Sequence, residues 1–124
     1  MVVRLLLDSV ILIDHFNNIP TATAYLRQTQ GESAVSVITR AEVLTGFDSP
    51  QARITAQLLD RFPTLVVDMQ VADLAAALRR EHGWKLPDTI QAALAQLHHL
   101  TLVTRNSRDF PPEHYDFVLI PYVL

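Results

Sequence analysis

The stretch that decides the fold is Val2-Val3-Arg4-Leu5-Leu6-Leu7-Asp8-Ser9. Five of its first six residues are apolar and suit a β-strand, and the run stops at an acid. A short continuous apolar run is typical of a strand buried on both faces, although a buried helix has the same pattern. The apolar residues of 10–16 then recur at helical spacing. The sequence therefore predicts a strand, an acid at its carboxyl end, and a helix.

Strand-like and helix-like segments alternate along the rest of the chain. Further strands are predicted at residues 34–38, 64–68, 101–104 and 117–120, and Pro121 makes the last an edge or terminal strand. Further helices are predicted at residues 21–30, 39–45, 50–62, 71–82 and 87–97. This alternation favours an α/β class with a mainly parallel central sheet of about five strands flanked by helices. The 124 residues fit one domain, 1–124.

Composition excludes several kinds of function. The net charge of −3 gives no global positive field to attract nucleic acid, so any such contact must be local or carried by metal ions. The chain has no cysteine, which excludes disulfide and thiolate chemistry and suits a reducing cytoplasm. No apolar run approaches the roughly 20 residues of a membrane span. Asp8 and Asp14 interrupt the apolar amino-terminal run, and a signal peptide is not expected.

The chain is unusually apolar for its size. Hydrophobic residues make up 49% of it and the mean hydropathy is +0.18. A small domain cannot cover that much apolar surface alone, so we expect a homodimer or a bound partner chain.

Four acids share a placement that points to metal chemistry. Asp8, Glu42 and Asp88 each come just after a strand or in the first turn of a helix, and Asp109 follows the fourth strand. In a parallel sheet these positions converge on one edge, where ligands bind. Carboxylates brought together repel one another unless cations lie between them, and Mg²⁺ or Mn²⁺ takes such oxygen ligands. Asp68 has a similar placement but is interpreted as the cap of a helix that follows a peripheral strand.

Each acid also has a purely local alternative. Thr39 and Glu42 have the spacing of a helix capping box. Asp88 suits the positive end of a helix dipole, Asp8 can cap the first helix, and Asp109 can form an Asx turn. Only the shared sheet edge favours the metal hypothesis over these alternatives.

Four segments resemble, in order, the motifs of PIN-domain ribonucleases. The first is Leu7-Asp8-Ser9-Val10-Ile11-Leu12-Ile13-Asp14, and the others are residues 36–46, 86–95 and 102–110. Together they span nearly the whole chain. Length and motif order are similar to VapC toxins of type II toxin–antitoxin systems.

The resemblance implies a three-layer PIN-like fold and a metal-dependent endoribonuclease with Mg²⁺ or Mn²⁺ as cofactor. It also implies RNA as substrate and a cognate antitoxin as partner. By position, Asp8, Glu42 and Asp88 would be metal ligands. Many relatives have Asp where Asn106 stands, so either Asn106, through its carbonyl oxygen, or Asp109 would fill the fourth ligand position.

The resemblance leaves several roles open. Ser9 and Thr104 would orient carboxylates or water, with simple strand-end hydrogen bonding as the alternative. Arg40, Arg105 and Arg108 lie beside the motifs and would contact RNA phosphates, or else form solvated surface. Two other functions remain open: a catalytically silent PIN-like binding module, and a metal-dependent phosphatase or nuclease outside a toxin–antitoxin pair.

Overall fold

The computed structural model describes residues 2–124, so Met1 of the predicted domain lies outside the described residues. Residues 2–124 form five strands and six helices. The strands are β1 (Leu5–Leu7), β2 (Ser33–Ser36), β3 (Thr64–Leu65), β4 (Thr101–Val103) and β5 (Val118–Leu119). The helices are α1 (Ser9–Phe16), α2 (Pro20–Gln28), α3 (Val37–Thr45), α4 (Ser49–Leu59), α5 (Met69–His82) and α6 (Leu86–Leu97). None of these helices is long and apolar enough to span a membrane.

The strands form one parallel sheet in the order β3-β2-β1-β4-β5. The apolar amino-terminal run lies at its centre, where Leu5 pairs with Ser33 of β2 and with Thr101 of β4. Side chains alternate between the faces of a strand. Leu6 accordingly packs into a core with α5 and α6, and Leu5 and Leu7 pack into a second core with α1 and α3. The predicted three-layer α/β architecture with its mainly parallel sheet is confirmed.

The boundary between β2 and α3 differs from the prediction. The strand was expected to run through Ile38, but it ends at Ser36, whose Oγ accepts a hydrogen bond from the Thr39 N–H at 3.1 Å. Ser36 is therefore the N-cap, and the alternative in which Thr39 and Glu42 form a capping box is wrong. Thr39 already lies inside the helix, with its hydroxyl donating to the Leu7 carbonyl oxygen at 3.3 Å.

The two edge strands are shorter than predicted. β3 covers only Thr64–Leu65 of the expected residues 64–68, and β5 only Val118–Leu119. The expected edge position of both strands is confirmed. Asp68 caps α5, as predicted, because its Oδ1 accepts from the Val71 N–H at 2.9 Å, and the helix begins at Met69 rather than Val71.

Candidate active site

Asp8 lies where β1 ends, with both carboxylate oxygens engaged. Its Oδ1 accepts from the Ser9 N–H at 2.9 Å, and its Oδ2 accepts from the Thr104 hydroxyl at 2.7 Å. The Asp8 backbone N–H continues the β1–β4 ladder by donating to the Val103 carbonyl at 2.9 Å. Asp8 thus caps α1 and also lies at the carboxyl edge of the two central strands. The capping role does not compete with a site role, because the same geometry places the carboxylate at this edge.

A buried glutamine on α6, Gln91, lies next to Asp8 and lowers the pKa of Asp8 through a side-chain hydrogen bond. Gln91 is 1% exposed, and its Nε2 donates to the Thr39 hydroxyl at 2.6 Å. Its Oε1 has no hydrogen-bond partner among the protein atoms described. Gln91 was not among the candidate residues predicted from the sequence, and Thr39 was considered only as part of a helix cap. The available signal was a polar residue at position 91, directly before the apolar run Ala92-Ala93-Leu94-Ala95.

The four predicted acids interact with one another at this edge. The pKa of Asp88 is raised to about 6, first by burial and then by the negative charges of Asp8, Asp109 and Glu42, against a lowering by Lys85. Such repulsion requires proximity, since charges in water are screened within about 10 Å at ordinary ionic strength. The structure therefore brings together side chains that are widely separated in the chain.

Two further carboxylates are perturbed in the same direction. Burial raises the pKa of Asp8, against hydrogen bonds from Thr104, Ser9 and Gln91 that lower it. Burial likewise raises the pKa of Glu42, with a contribution from the charge of Asp8 and against a hydrogen bond from Ser9. These carboxyl groups all hold protons more strongly than free side chains do, first because burial disfavours their charged form.

The loop after β4 carries the fourth acid. The Asn106 N–H donates to the Thr104 hydroxyl at 3.1 Å, and the Asn106 Oδ1 accepts from the Asp109 N–H at 3.2 Å. The Asn106 Nδ2 also donates to the Asp109 carboxylate at 3.0 Å. The side chain that turns this loop is therefore Asn106, and not Asp109 as the Asx-turn alternative supposed.

The three candidate arginines have different surroundings. Arg105 forms a bidentate ion pair with Asp14, at 2.6 and 2.9 Å. Arg40 pairs with the exposed Asp60 at 2.8 Å. Arg108 is exposed. Arg108 is thus the arginine whose surroundings fit an RNA contact best, and Arg105 fits it least.

The four acids form an anionic site, but they do not by themselves complete a metal-binding site. In the described part of the chain, no three His, Cys, Asp or Glu side chains are close enough together to hold a metal ion as they stand. The donors nevertheless fit a hard divalent ion, since all four are carboxylates. Mg²⁺ usually takes one or two protein carboxylates and completes its shell with water and substrate phosphate. A compact cage of three acids is therefore not required.

Comparison with known proteins identifies the family. The sequence model described as PIN domain matches residues 5–112, a range that includes all four acids. The chain belongs to the PIN domain family. This PIN domain is 32% identical over 114 residues to Ribonuclease VapC10 of Mycobacterium tuberculosis, with 86% of each chain covered.

Solved structures show the same fold. A toxin–antitoxin complex from Klebsiella pneumoniae contains a chain with a TM-score of 0.89 and 38% identity, covering 96% of this PIN domain and 98% of that chain. FitAcB from Neisseria gonorrhoeae matches with a TM-score of 0.78 and 24% identity, covering 97% of this PIN domain and 99% of that chain. The resemblance inferred from the four motifs is confirmed.

Proposed function

We propose that this PIN domain is an endoribonuclease that acts as the toxin of a toxin–antitoxin pair. The observation that carries the proposal is the gathering of four acids at the carboxyl edge of β1, where burial first, and then the negative charges of the other three acids, raise the pKa of Asp88 to about 6. The relative named Ribonuclease VapC10 and the Klebsiella toxin–antitoxin complex support the activity and its setting. A toxin of this kind acts in the cytoplasm, where its RNA substrate lies.

The acids would hold Mg²⁺ or Mn²⁺. Asp8, Glu42 and Asp88 are the proposed ligands, and Asp109 is favoured over Asn106 for the fourth position because the Asn106 oxygen already accepts the Asp109 N–H at 3.2 Å. When bound, the ion supplies an activated water and stabilises the leaving oxygen of a phosphodiester. Its charge would also offset the repulsion among the carboxylates.

The protein's own contribution is to orient ligands and substrate. The Ser9 N–H and the Thr104 hydroxyl each fix one oxygen of Asp8, so this carboxylate cannot rotate freely. Preorganised ligands of this kind save the cost of ordering them during the reaction. Arg108, exposed beside Asp109, is the proposed phosphate contact.

A cleft between α1, α2 and α4 suits the antitoxin. Its volume is about 540 Å³. Its lining combines apolar and basic side chains: Leu12, Leu26, Leu58, Phe62, His15, Arg27 and Arg61. A partner segment with apolar residues and acidic flanks would match this surface. We therefore propose that the antitoxin binds here.

RNA cleavage by the purified protein tests the proposal. We expect cleavage with Mg²⁺ or Mn²⁺, none with EDTA, and a loss of at least 100-fold in Asp8→Asn and Asp88→Asn, because each change removes a ligand charge (on the order of 10²- to 10³-fold for one preorganised electrostatic contact). Asp73→Asn, an exposed acid on α5, is the matched control and should cleave normally. Cleavage that survives both site changes would contradict the proposal. Parallel assays with DNA and small phosphoesters separate a ribonuclease from a general nuclease or phosphatase.

A catalytically silent binding module is the second candidate. The observation that favours it is the Asn106 Nδ2 hydrogen bond to Asp109, which engages the fourth acid with a neutral side chain. This candidate predicts RNA binding without cleavage under every metal condition. Growth arrest on expression of the wild type, abolished by Asp8→Asn, would exclude it.

A further inference from the structure

A network of three side chains, of which Asp14 is buried and Arg105 and Tyr122 are partly buried, lies beside the candidate active site. The Asp14 carboxylate is 5% exposed and accepts two hydrogen bonds from the Arg105 guanidinium, at 2.6 and 2.9 Å. The Tyr122 hydroxyl donates to Asp14 Oδ2 at 2.8 Å. The network therefore joins α1, the chain leaving β4, and the chain that follows β5.

The network is continuous with the candidate site along the backbone. Arg105 directly follows Thr104, whose hydroxyl holds Asp8 Oδ2 at 2.7 Å. Arg105 also directly precedes Asn106, which hydrogen-bonds to both Thr104 and Asp109. The chain that leads to the fourth acid is thus fixed on one side to the first acid and on the other side to α1.

The Asp14–Arg105 ion pair is stabilised by several interactions of the Asp14 carboxylate. Burial raises the pKa of Asp14, but hydrogen bonds from Arg105 and Tyr122 and the guanidinium charge outweigh it, so the pKa lies below its usual value. A bidentate Arg–carboxylate pair also fixes relative orientation, which a single contact does not. A pair of this kind is a geometric constraint as well as a charge contact.

We propose that Arg105 is a positioning residue that holds the segment 104–109 against α1, and that Tyr122 sets the Asp14 carboxylate for it. Through this segment, the network fixes where Asp109 stands relative to Asp8 and Asp88. The consequence for cleavage rests on the proposed function, whereas the consequence for the loop does not. Arg105 then acts through Asp109 and makes no phosphate contact of its own.

The first test needs neither metal nor RNA. Amide hydrogen exchange is measured on the Asp109 and Phe110 N–H groups, which donate to the Asn106 side-chain and backbone oxygens. Tyr122→Phe removes one hydroxyl, and Arg105→Lys keeps the charge but loses the bidentate geometry. We expect both variants to exchange several-fold faster at these amides. Arg4→Lys, in the exposed pair with Glu32, is the matched control and should exchange as the wild type does.

The second test separates positioning from RNA contact. For Arg105→Lys we expect kcat to fall about 10- to 100-fold, as for side chains that orient ligands, with KM for RNA and its salt dependence unchanged. A raised KM together with a salt slope smaller by about 1 would show a phosphate contact and overturn the proposal. Wild-type exchange rates in both Tyr122→Phe and Arg105→Lys would overturn it as well. If the wild type cleaves no RNA, the proposed function fails, and the exchange rates alone decide the role of Arg105.

Discussion

Asp88 is the acid of the candidate site whose pKa is affected by all three of the others. Its pKa is raised from 3.8 to about 6, by burial first and then by its acidic neighbours. The folded protein therefore binds this proton more tightly than the unfolded chain does. Between pH 4 and 6 the folded state carries more protons, so the free energy of unfolding falls as pH rises through this window.

The corresponding prediction concerns the protein without metal. We expect its melting temperature to decrease as pH rises from 4 to 6, and Asp88→Asn to remove much of that decrease, since the amide has no proton to lose. Thermal unfolding followed by circular dichroism at several pH values in EDTA measures this. Asp73→Asn serves as control because Asp73 is exposed on α5. An equal pH slope in Asp88→Asn and the wild type would contradict the raised pKa of Asp88.

At the residue scale, the candidate acids could be predicted from the sequence, but the side chains that hydrogen-bond around them could not. Asp8 and Asp109 were found because each follows a strand, which is a property of local sequence. Gln91 and Tyr122 act across 52 and 108 positions of the chain, respectively, through contacts that no local pattern records. Arg105 was a candidate for RNA contact or for solvated surface because of its neighbours in sequence, whereas its partner, Asp14, lies 91 positions away.

Among the elements, α5 has a single capping side chain at its start. Asp68 accepts from the Val71 N–H and satisfies one of the otherwise unpaired donors of the first turn. We expect Asp68→Ala to lower the free energy of unfolding by about 1 kcal/mol, the usual cost of losing an N-cap. Urea denaturation measures this change.

The same variant should keep its RNA cleavage rate, because Asp68 lies at the start of α5, outside the four-acid site. Asp68→Asn is the matched control and should lose far less stability, since Asn also caps helices well. Equal losses in the two variants would contradict the assignment of the stability change to the capping hydrogen bond.

The β2–α3 boundary shows why element ends were harder to predict than element types. Val37 and Ile38 are apolar and β-branched, so they extend the apparent strand. In the fold, the Ser36 hydroxyl captures the Thr39 N–H and starts the helix two residues earlier than expected. A buried helix start and a buried strand end have the same apolar composition, and only the cap separates them.

The whole molecule leaves apolar side chains at its surface. Val66 and Met69, just beyond the edge strand β3, are 65% and 84% exposed. We expect the purified protein to form a homodimer at micromolar concentration, as its hydrophobic composition predicted. Sedimentation velocity measures this, with Met69→Lys as the variant expected to weaken association. A monomer across the micromolar range would contradict the prediction.

At this scale, the fold class could be predicted from the sequence, but the order of the strands in the sheet could not. Alternation of strands and helices predicts a parallel sheet, and the fully apolar β1 predicts a strand buried on both faces. The spatial order β3-β2-β1-β4-β5 places the first strand in the middle. This order reflects which surfaces pack together, and local pattern carries no information about it.

The central position of β1 has a consequence during synthesis. The neighbouring strand β4 begins at Thr101. The Thr104 hydroxyl, which donates a hydrogen bond to Asp8, comes 96 residues after Asp8 in the chain. During translation, residue 104 must therefore be made before its hydroxyl can fix the Asp8 carboxylate. Under the proposed function, the messenger RNA that encodes the protein would meet no fully assembled site until that residue has been made.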